Sequence, residues 1–351
     1  MTTPSWSEKV KQIWGFLKSA PTVLPSRVAI SKNHTDRAQA LDTPFDEEKH
    51  YFQVRINEMF LTEERQWYKT IDPMVFVVSE FLYDKARTSV PFLVGPMMLE
   101  DHLEKIPQGL VFANTKVSGT HPYRGGSLAL TVVLCQVTRD DYARNLLSVV
   151  ELAAGALDFA SNLINYTKVA ETLMAGVNAM LGLKDTKPVV GWRYAIDPDA
   201  GDVLKPGYLA LIDKPGFSED QLWVKDNQLF HGSSMAQAQP FREADFVLFS
   251  VAQTDSRGDE EQLSWYDLWQ RVLSQAAIDD DNAWKRAKAD MASLYQTMVT
   301  SPDLTPAHAD ALVDVYLDEM KKKHAKATKI GTLAPSKAES KLRKAADILE
   351  L

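Results

Sequence analysis

The stretch YFQVRINEMF, residues 51–60, decides how the fold is read. Phe52, Val54 and Ile56 alternate with polar neighbours, the period-two pattern of a strand with one buried face. Working outward, Met74–Tyr83 is more continuously apolar through Val75, Phe76, Val77 and Val78. Pro91–Val94, Leu110–Val117 and Ser127–Val137 follow, separated by Gly and Pro turns. Strands this frequent, with no helices between them, predict an antiparallel, sandwich-like body rather than a doubly wound sheet. The pattern resumes at Val189–Ile196, Gly207–Ile212, Gln221–Phe230 and Asp245–Ala252, with Asp226-Asn227 as a turn inside the third. The expected class is α+β.

Between these two β regions lies TRDDYARNLLSVVELAAGALDFASNLINYTKVAETLMAGVNAMLGLK, residues 138–184. It has no Pro and is rich in Ala and Leu, so it reads as helical, with a break at Asn165-Tyr166-Thr167 that makes a hairpin over 139–182. Arg144, Ser148, Glu151, Asp158 and Asn162 share one stripe, opposite Leu146, Val150, Leu157 and their neighbours. That amphipathic pattern suits a hairpin packed on a sheet. Two acids in its most apolar turns oppose a simple bilayer span, at about 2.5–3.5 kcal/mol each near the centre. Small residues such as Ala153, Gly155 and Gly176 would allow close helix contacts in an inserted or self-assembled form.

The flanks read as helices. Ser5-Trp6-Ser7-Glu8 is a capping box opening a short helix with Trp6, Val10, Ile13, Trp14 and Leu17 on one face. Residues 21–48, with several Pro, read as a linker or extended arm. From Leu263 the chain turns helical: Leu268, Trp269 and Val272 mark one helix, and Asp279–Asp281 can cap another with Trp284, Met291 and Leu294. Thr305-Pro306 starts a third, which Lys321-Lys322-Lys323 would end. Ala325–Pro335 reads as a linker and Ser336-x-x-Glu339 as the cap of a last helix bearing Leu342 and Leu349. The expected organisation is an N-terminal helix and linker (1–48), a β-rich body (49–257), a helical region (258–326) and a terminal docking helix (327–351).

The net charge of -8 argues against a general nucleic-acid surface. Met320–Leu351 nonetheless carries nine Lys or Arg against three acids, a basic end on an acidic body. A single cysteine, Cys135, excludes a disulfide framework and a cysteine zinc site, and the N-terminus lacks the pattern of a signal peptide. The expected location is the cytoplasm, with peripheral contact to an inner membrane as the variant.

Most common chemistries leave no trace. There is no Walker-type phosphate loop, no G-x-G-x-x-G after a strand and no G-x-S-x-G elbow, so no cofactor is implied. The seven His make no i,i+4 pair, and Asp197–Asp202 departs from a calcium loop at the Gly and Glu positions, leaving an Asx-rich turn. No catalytic or metal residue is assigned. The best polar candidate is the loop His121–Gly126, where His121, Tyr123 and Arg124 could form a recognition patch, with Arg124 offering a fork to a carboxylate or phosphate.

Phe92-Leu93-Val94-Gly95-Pro96, Pro122-Tyr123-Arg124-Gly125-Gly126, Gly207-Tyr208 and Thr300-Ser301-Pro302-Asp303-Leu304 occur in this order. Together they are similar to uncharacterised bacterial proteins associated with multi-gene conflict or signalling systems. The resemblance covers about residues 50–320 and implies an accessory role without transferring any site residue. The leading expectation is a non-enzymatic adaptor that binds another protein, docking through Trp6, Trp14, Leu342 and Leu349. The alternatives are a membrane-active effector using the 139–182 hairpin and the Trp-bearing helix, and an enzyme with an unfamiliar site near His121 and Arg124.

Overall fold

A computed structural model describes residues 25–331 apart from 42, 63–64, 67–68, 96–109, 117–118 and 139–185. The expected hairpin, the Trp6/Trp14 helix and the Leu342/Leu349 helix lie outside the described residues. The chain divides into two compact units after Arg257.

The first unit is built from strands β1 (Ser26–Ile30), β2 (Tyr51–Phe60), β3 (Arg65–Gln66), β4 (Lys69–Tyr83), β5 (Ala86–Val94), β6 (Leu110–Lys116) and β7 (His121–Pro122). They are followed by β8 (Leu128–Thr138), β9 (Thr186–Ile196), β10 (Gly207–Ile212), β11 (Leu222–Lys225), β12 (Gln228–His231), β13 (Gln239–Pro240) and β14 (Phe246–Thr254). They form a six-stranded sheet in the order β1-β10-β14-β2-β6 with β7 also on β2, a five-stranded sheet β3-β4-β8-β9 with β5 also on β4, and a three-stranded sheet β11-β12-β13. Every pairing between these strands is antiparallel. With the helices of the second unit, this is an α+β chain.

Alternation assigns each face of the six-stranded sheet a different neighbour. Leu209, Leu211, Val247, Phe249, Phe52, Val54 and Ile56 join Val75, Val77, Leu130 and Val132 of the five-stranded sheet in one core. Tyr208, Ala210, Ile212, Phe246 and Leu248 face the opposite way and pack with Leu222, Val224, Leu229 and Phe241 around the small sheet. The six-stranded sheet is therefore the middle layer of three.

β1 corrects the reading of 21–48 as a linker or arm. Ser26–Ile30 alternates between buried and exposed positions and pairs with β10 along its length. Five residues directly after Pro25 give too short a pattern to stand out in the sequence.

β2 carries the feature that sets the polar geometry. Its pairing slips between Ile56 and Glu58: against β14 Asn57 is the extra residue of a β-bulge, and the register with β6 shifts at the same point. Strict alternation would turn Glu58 into the main core with Phe52, Val54 and Ile56. The bulge turns it to the other face, where it is 0% exposed and Met59 takes the core position. There Glu58 Oε2 accepts from Leu229 N–H at 2.6 Å and Oε1 lies 3.0 Å from Arg242 Nη2. Arg242 also sits over the Phe60 ring at 5.1 Å and donates to the Phe241 carbonyl. One carboxylate thus ties the small sheet to the middle one.

The described residues of the second unit form three α-helices: α1 (Tyr266–Ala276), α2 (Asp281–Thr300) and α3 (Pro306–Gly331). The Asp280 side chain caps α2 by accepting from Ala283 N–H at 2.8 Å, and Thr305 Oγ1 accepts from His308 N–H at the start of α3. Trp269 stacks on Tyr316 at 4.1 Å within a core that includes Val272, Met291, Leu294 and Met298. α3 does not end at Lys321–Lys323. It runs on into the expected linker as far as Gly331, because Ala325–Lys329 contains neither Gly nor Pro to stop it. Among the described residues no helix is long and apolar enough to cross a membrane.

Burial pushes the Glu58 carboxyl up to about 7, against the opposing pull of Leu229 N–H and Arg242. The folded chain therefore keeps this proton at pH values where the unfolded chain, with its ordinary value of 4.5, has released it. The native state binds more protons in that window, so stability falls as pH rises from about 4.5 to 7, by ~3 kcal/mol from this group. Glu58→Gln keeps an oxygen for Leu229 and cannot titrate. Urea unfolding at pH 5 and pH 8 is expected to show the variant gaining ~3 kcal/mol on the parent between the two conditions. Parallel pH profiles would contradict a buried, titrating Glu58.

Candidate functional site

The face that carries Glu58 and Phe60 continues toward the start of β2 with Gln53 and Arg55, beyond the short strands of the small sheet. Register brings three polar side chains into one row there: Tyr208 on β10 pairs with Ser250 on β14, and Ser250 pairs with Arg55 on β2. This row borders a cleft of about 220 Å³ whose lining also includes Arg37, Asn57 and Asn227.

The segment between β1 and β2 supplies the Arg37 wall. Two 3-10 turns, Lys32–His34 and Ala38–Leu41, flank Arg37, and the first is pinned to β11. His34 stacks on Trp223 at 4.1 Å and its Nδ1 is 2.9 Å from the Leu222 carbonyl oxygen. Asp36 N–H donates to Val224 O at 3.2 Å, and Asp36 Oδ2 accepts from Asp226 N–H at 2.9 Å. Beside it lies the Asp226-Asn227 turn, where both residues have positive φ, 51° and 62°, as a tight β-hairpin requires. Asn227 Oδ1 accepts from Tyr208 O–H at 2.9 Å.

The electrostatics follow from two guanidiniums sharing this space. Burial lowers the Arg55 pKa, and the like charge of Arg37 lowers it further. Gln53 Oε1 accepts from Arg55 Nη2 at 2.9 Å and Nε at 3.3 Å, while Gln53 Nε2 donates to Thr120 Oγ1 at 2.5 Å. Gln53 thus orients Arg55 from behind. Burial is the largest influence on Tyr208 and raises its pKa, as does the nearby Asp36 carboxylate, while Arg55 and the hydrogen-bonded Arg37 pull the other way, so the phenol stays neutral. At the bulge, Asn57 is 2% exposed and its Oδ1 has no hydrogen-bond partner, an uncompensated burial of the kind that costs about 1–3 kcal/mol.

The described lining contains no Asp, Glu, His or Cys. Ser250 therefore has no general base beside it in the lining, and the arrangement is suited to holding an anion rather than to activating a nucleophile. Among the described residues, no group of three or more His, Cys, Asp or Glu could hold a metal ion. Asp197–Asp202 forms a turn closed on itself, with Asp197 accepting from Asp199 N–H and Asp202 from Asp197 N–H.

The loop favoured from sequence lies elsewhere. β7 pins it to β2 through Tyr51–Pro122 and Phe52–His121, which draws its first residues inward. His121 is 4% exposed, packed 4.7 Å from Phe81 and 5.8 Å from Phe52, and burial holds its pKa down to about 3. Tyr123 is also buried, edge-on to Phe45 at 5.6 Å. Of the expected His121/Tyr123/Arg124 patch, His121 and Tyr123 are buried and Arg124 is half-buried. His121 packs among Phe52 and Phe81, with the Arg257 charge near enough to lower its pKa further.

The sequence offered one signal for the actual cleft, the Asp226-Asn227 turn. Arg37, Arg55, Tyr208 and Ser250 are far apart in the chain and meet only through strand order. In comparison with known proteins, the chain matches no family model, no curated protein and no solved structure, so the reading of the cleft rests on its own geometry.

Proposed function

We propose that the protein works by binding rather than catalysis, as an adaptor whose cleft takes an anionic group presented by a partner protein. The observation that carries this reading is the placing of Arg37 and Arg55 around one small concavity with no acid in its described lining. Burial and the like charge of Arg37 lower the Arg55 pKa, and an anion held between the two would favour both charged forms. The chain as a whole carries -8, so a long polyanion is repelled while a short anionic group can enter. On this reading Trp6, Trp14, Leu342 and Leu349 serve as auxiliary docking residues. A cytoplasmic location accords with the lone Cys135, a buried thiol whose pKa burial pushes up to about 12.

The reading is tested on an array of acidic, phosphorylated and neutral peptides probed with the full chain and with Arg37→Ala/Arg55→Ala. The parent is expected to retain anionic members. The double variant should lose them about 10- to 100-fold, the range for removing a hydrogen bond to a charged group, with its circular dichroism unchanged. Equal retention by both proteins would overturn the assignment. Gln53→Ala, which leaves both guanidiniums but removes the support of Arg55, should weaken the same members by a smaller factor. Measured binding to Gln53→Ala as strong as that of the parent would remove Gln53 from its positioning role.

A further inference from the structure

The five-stranded sheet has a second buried face. Val75, Val77, Leu130, Val132 and Leu134 lie in the core shared with the six-stranded sheet. The residues between them form the outer face in cross-strand register: Met74 opposite Cys135, Phe76 opposite Val133 and Val78 opposite Thr131. These six are 0–3% exposed, yet none belongs to that core or to the one around the small sheet. We propose that this outer face is the docking surface for residues 139–185 of the same chain, seated on it as the helical hairpin their sequence predicts.

The chain path singles out this occupant. The segment leaves β8 at Thr138 and returns at Thr186 on β9, and the two strands are antiparallel neighbours with Val137 opposite Thr186. Both ends are therefore anchored at one end of this sheet, a strand spacing of about 4.8 Å apart. Residues 1–24 instead lead into β1, and residues 96–109 lie between β5 and β6; β1 and β6 belong to the middle sheet.

Burial follows the same direction. Met74, Cys135, Phe76 and Val133 lie toward the anchored end, with Val78 and Thr131 beyond them, all closed to solvent. Farther along, Glu80 pairs with Arg193, which also donates to Thr131 Oγ1 at 3.2 Å, and both charged residues are half-buried. Ala195, two residues on from Arg193, is exposed. From Thr138 back to Thr131 the strand runs ~23 Å at about 3.3 Å per residue. The second arm of the expected hairpin, 168–182, is ~22 Å long as a helix. Two helices about 9 Å apart also cover the ~14 Å from β5 to β9 across β4 and β8. Leu146, Val150 and Leu157 supply the apolar stripe such a seat requires, leaving Glu151 and Asp158 to water. Seated there, the hairpin commits to its own sheet the stripe that insertion into a bilayer would need.

Cys135 is the one cysteine of the chain and reports on this face directly. Its reaction with an aromatic disulfide reagent is followed on the full chain across a dilution series, with and without phosphatidylglycerol vesicles. The parent is expected to react at least ~100-fold slower than the same chain in urea, because reaction needs local opening. Val150→Asp and Leu157→Asp should each speed labelling about tenfold or more, and Glu151→Ala should leave it unchanged. A chain in which a short Asn-Gly turn replaces 139–185 should label fastest while keeping the circular dichroism of its strands. Protection that survives in that folded chain would overturn the proposal by giving the face another cover. Protection that fades on dilution would assign the face to a second copy, and labelling sped by vesicles would assign the hairpin to lipid; either result overturns it. If the shortened chain does not fold, the substitutions decide: parent-like rates in both Asp variants would overturn the docking.

Discussion

The architecture of the β unit depends on a buried carboxylate placed by a single extra residue. Asn57 inserts into β2, and from that point the strand presents the opposite parity to its two neighbours. Met59 and Leu61 can then continue the core begun by Phe52, Val54 and Ile56, while Glu58 is turned toward the small sheet. Burying a carboxylate is unfavourable unless its oxygens are satisfied. Leu229 N–H and Arg242 do so from two points around the small sheet, which makes them a register lock: a slip of β12 would strand the charge. The interaction contributes little net stability against an apolar alternative of similar shape. Its contribution is to specify one arrangement of the two sheets.

The same parity change governs the cleft. Gln53 and Arg55 precede the bulge and Glu58 and Phe60 follow it, yet all four share a face. The small sheet covers the second pair and stops short of the first. What remains is a sheet face that carries hydroxyls and a guanidinium in register, closed on one side by the turn holding Arg37. Hydrogen bonds fix nearly every wall: His34 and Asp36 to β11 and its turn, Asn227 to Tyr208, Thr120 through Gln53 to Arg55. A binding group held this way loses little freedom when a ligand arrives, which is where preorganised sites gain affinity.

Much of the frame was legible in the sequence because strands and their turns are local signals. Tyr51–Phe60 and Gly207–Ile212 form strands over those same residues, and the Asp226-Asn227 turn falls inside Gln221–Phe230 as its Asx residues indicate. Three kinds of feature were not legible. β1 is too short to announce itself. The bulge at Asn57 has no signature in one strand, since it exists only relative to β14 and β6. The Tyr208–Ser250–Arg55 row is a property of strand order, which periodicity does not encode. His121 attracted notice for its residue type, and only the pairing of β7 with β2 reveals that it is an interior ring between phenylalanines.

Stability and recognition are therefore hard to separate in this fold. A change that restored simple alternation in β2 would send either Arg55 or Glu58 into the main apolar core. In the first case the cleft loses a guanidinium. In the second the small sheet loses its anchor, and with it the Asp226-Asn227 rim and the support for Asp36 beside Arg37. Both routes dismantle the cation pair through backbone parity rather than through contact with a ligand. The cleft is a consequence of how the middle sheet changes face along β2, and the residues that build it cannot be optimised independently of the ones that hold the layers together.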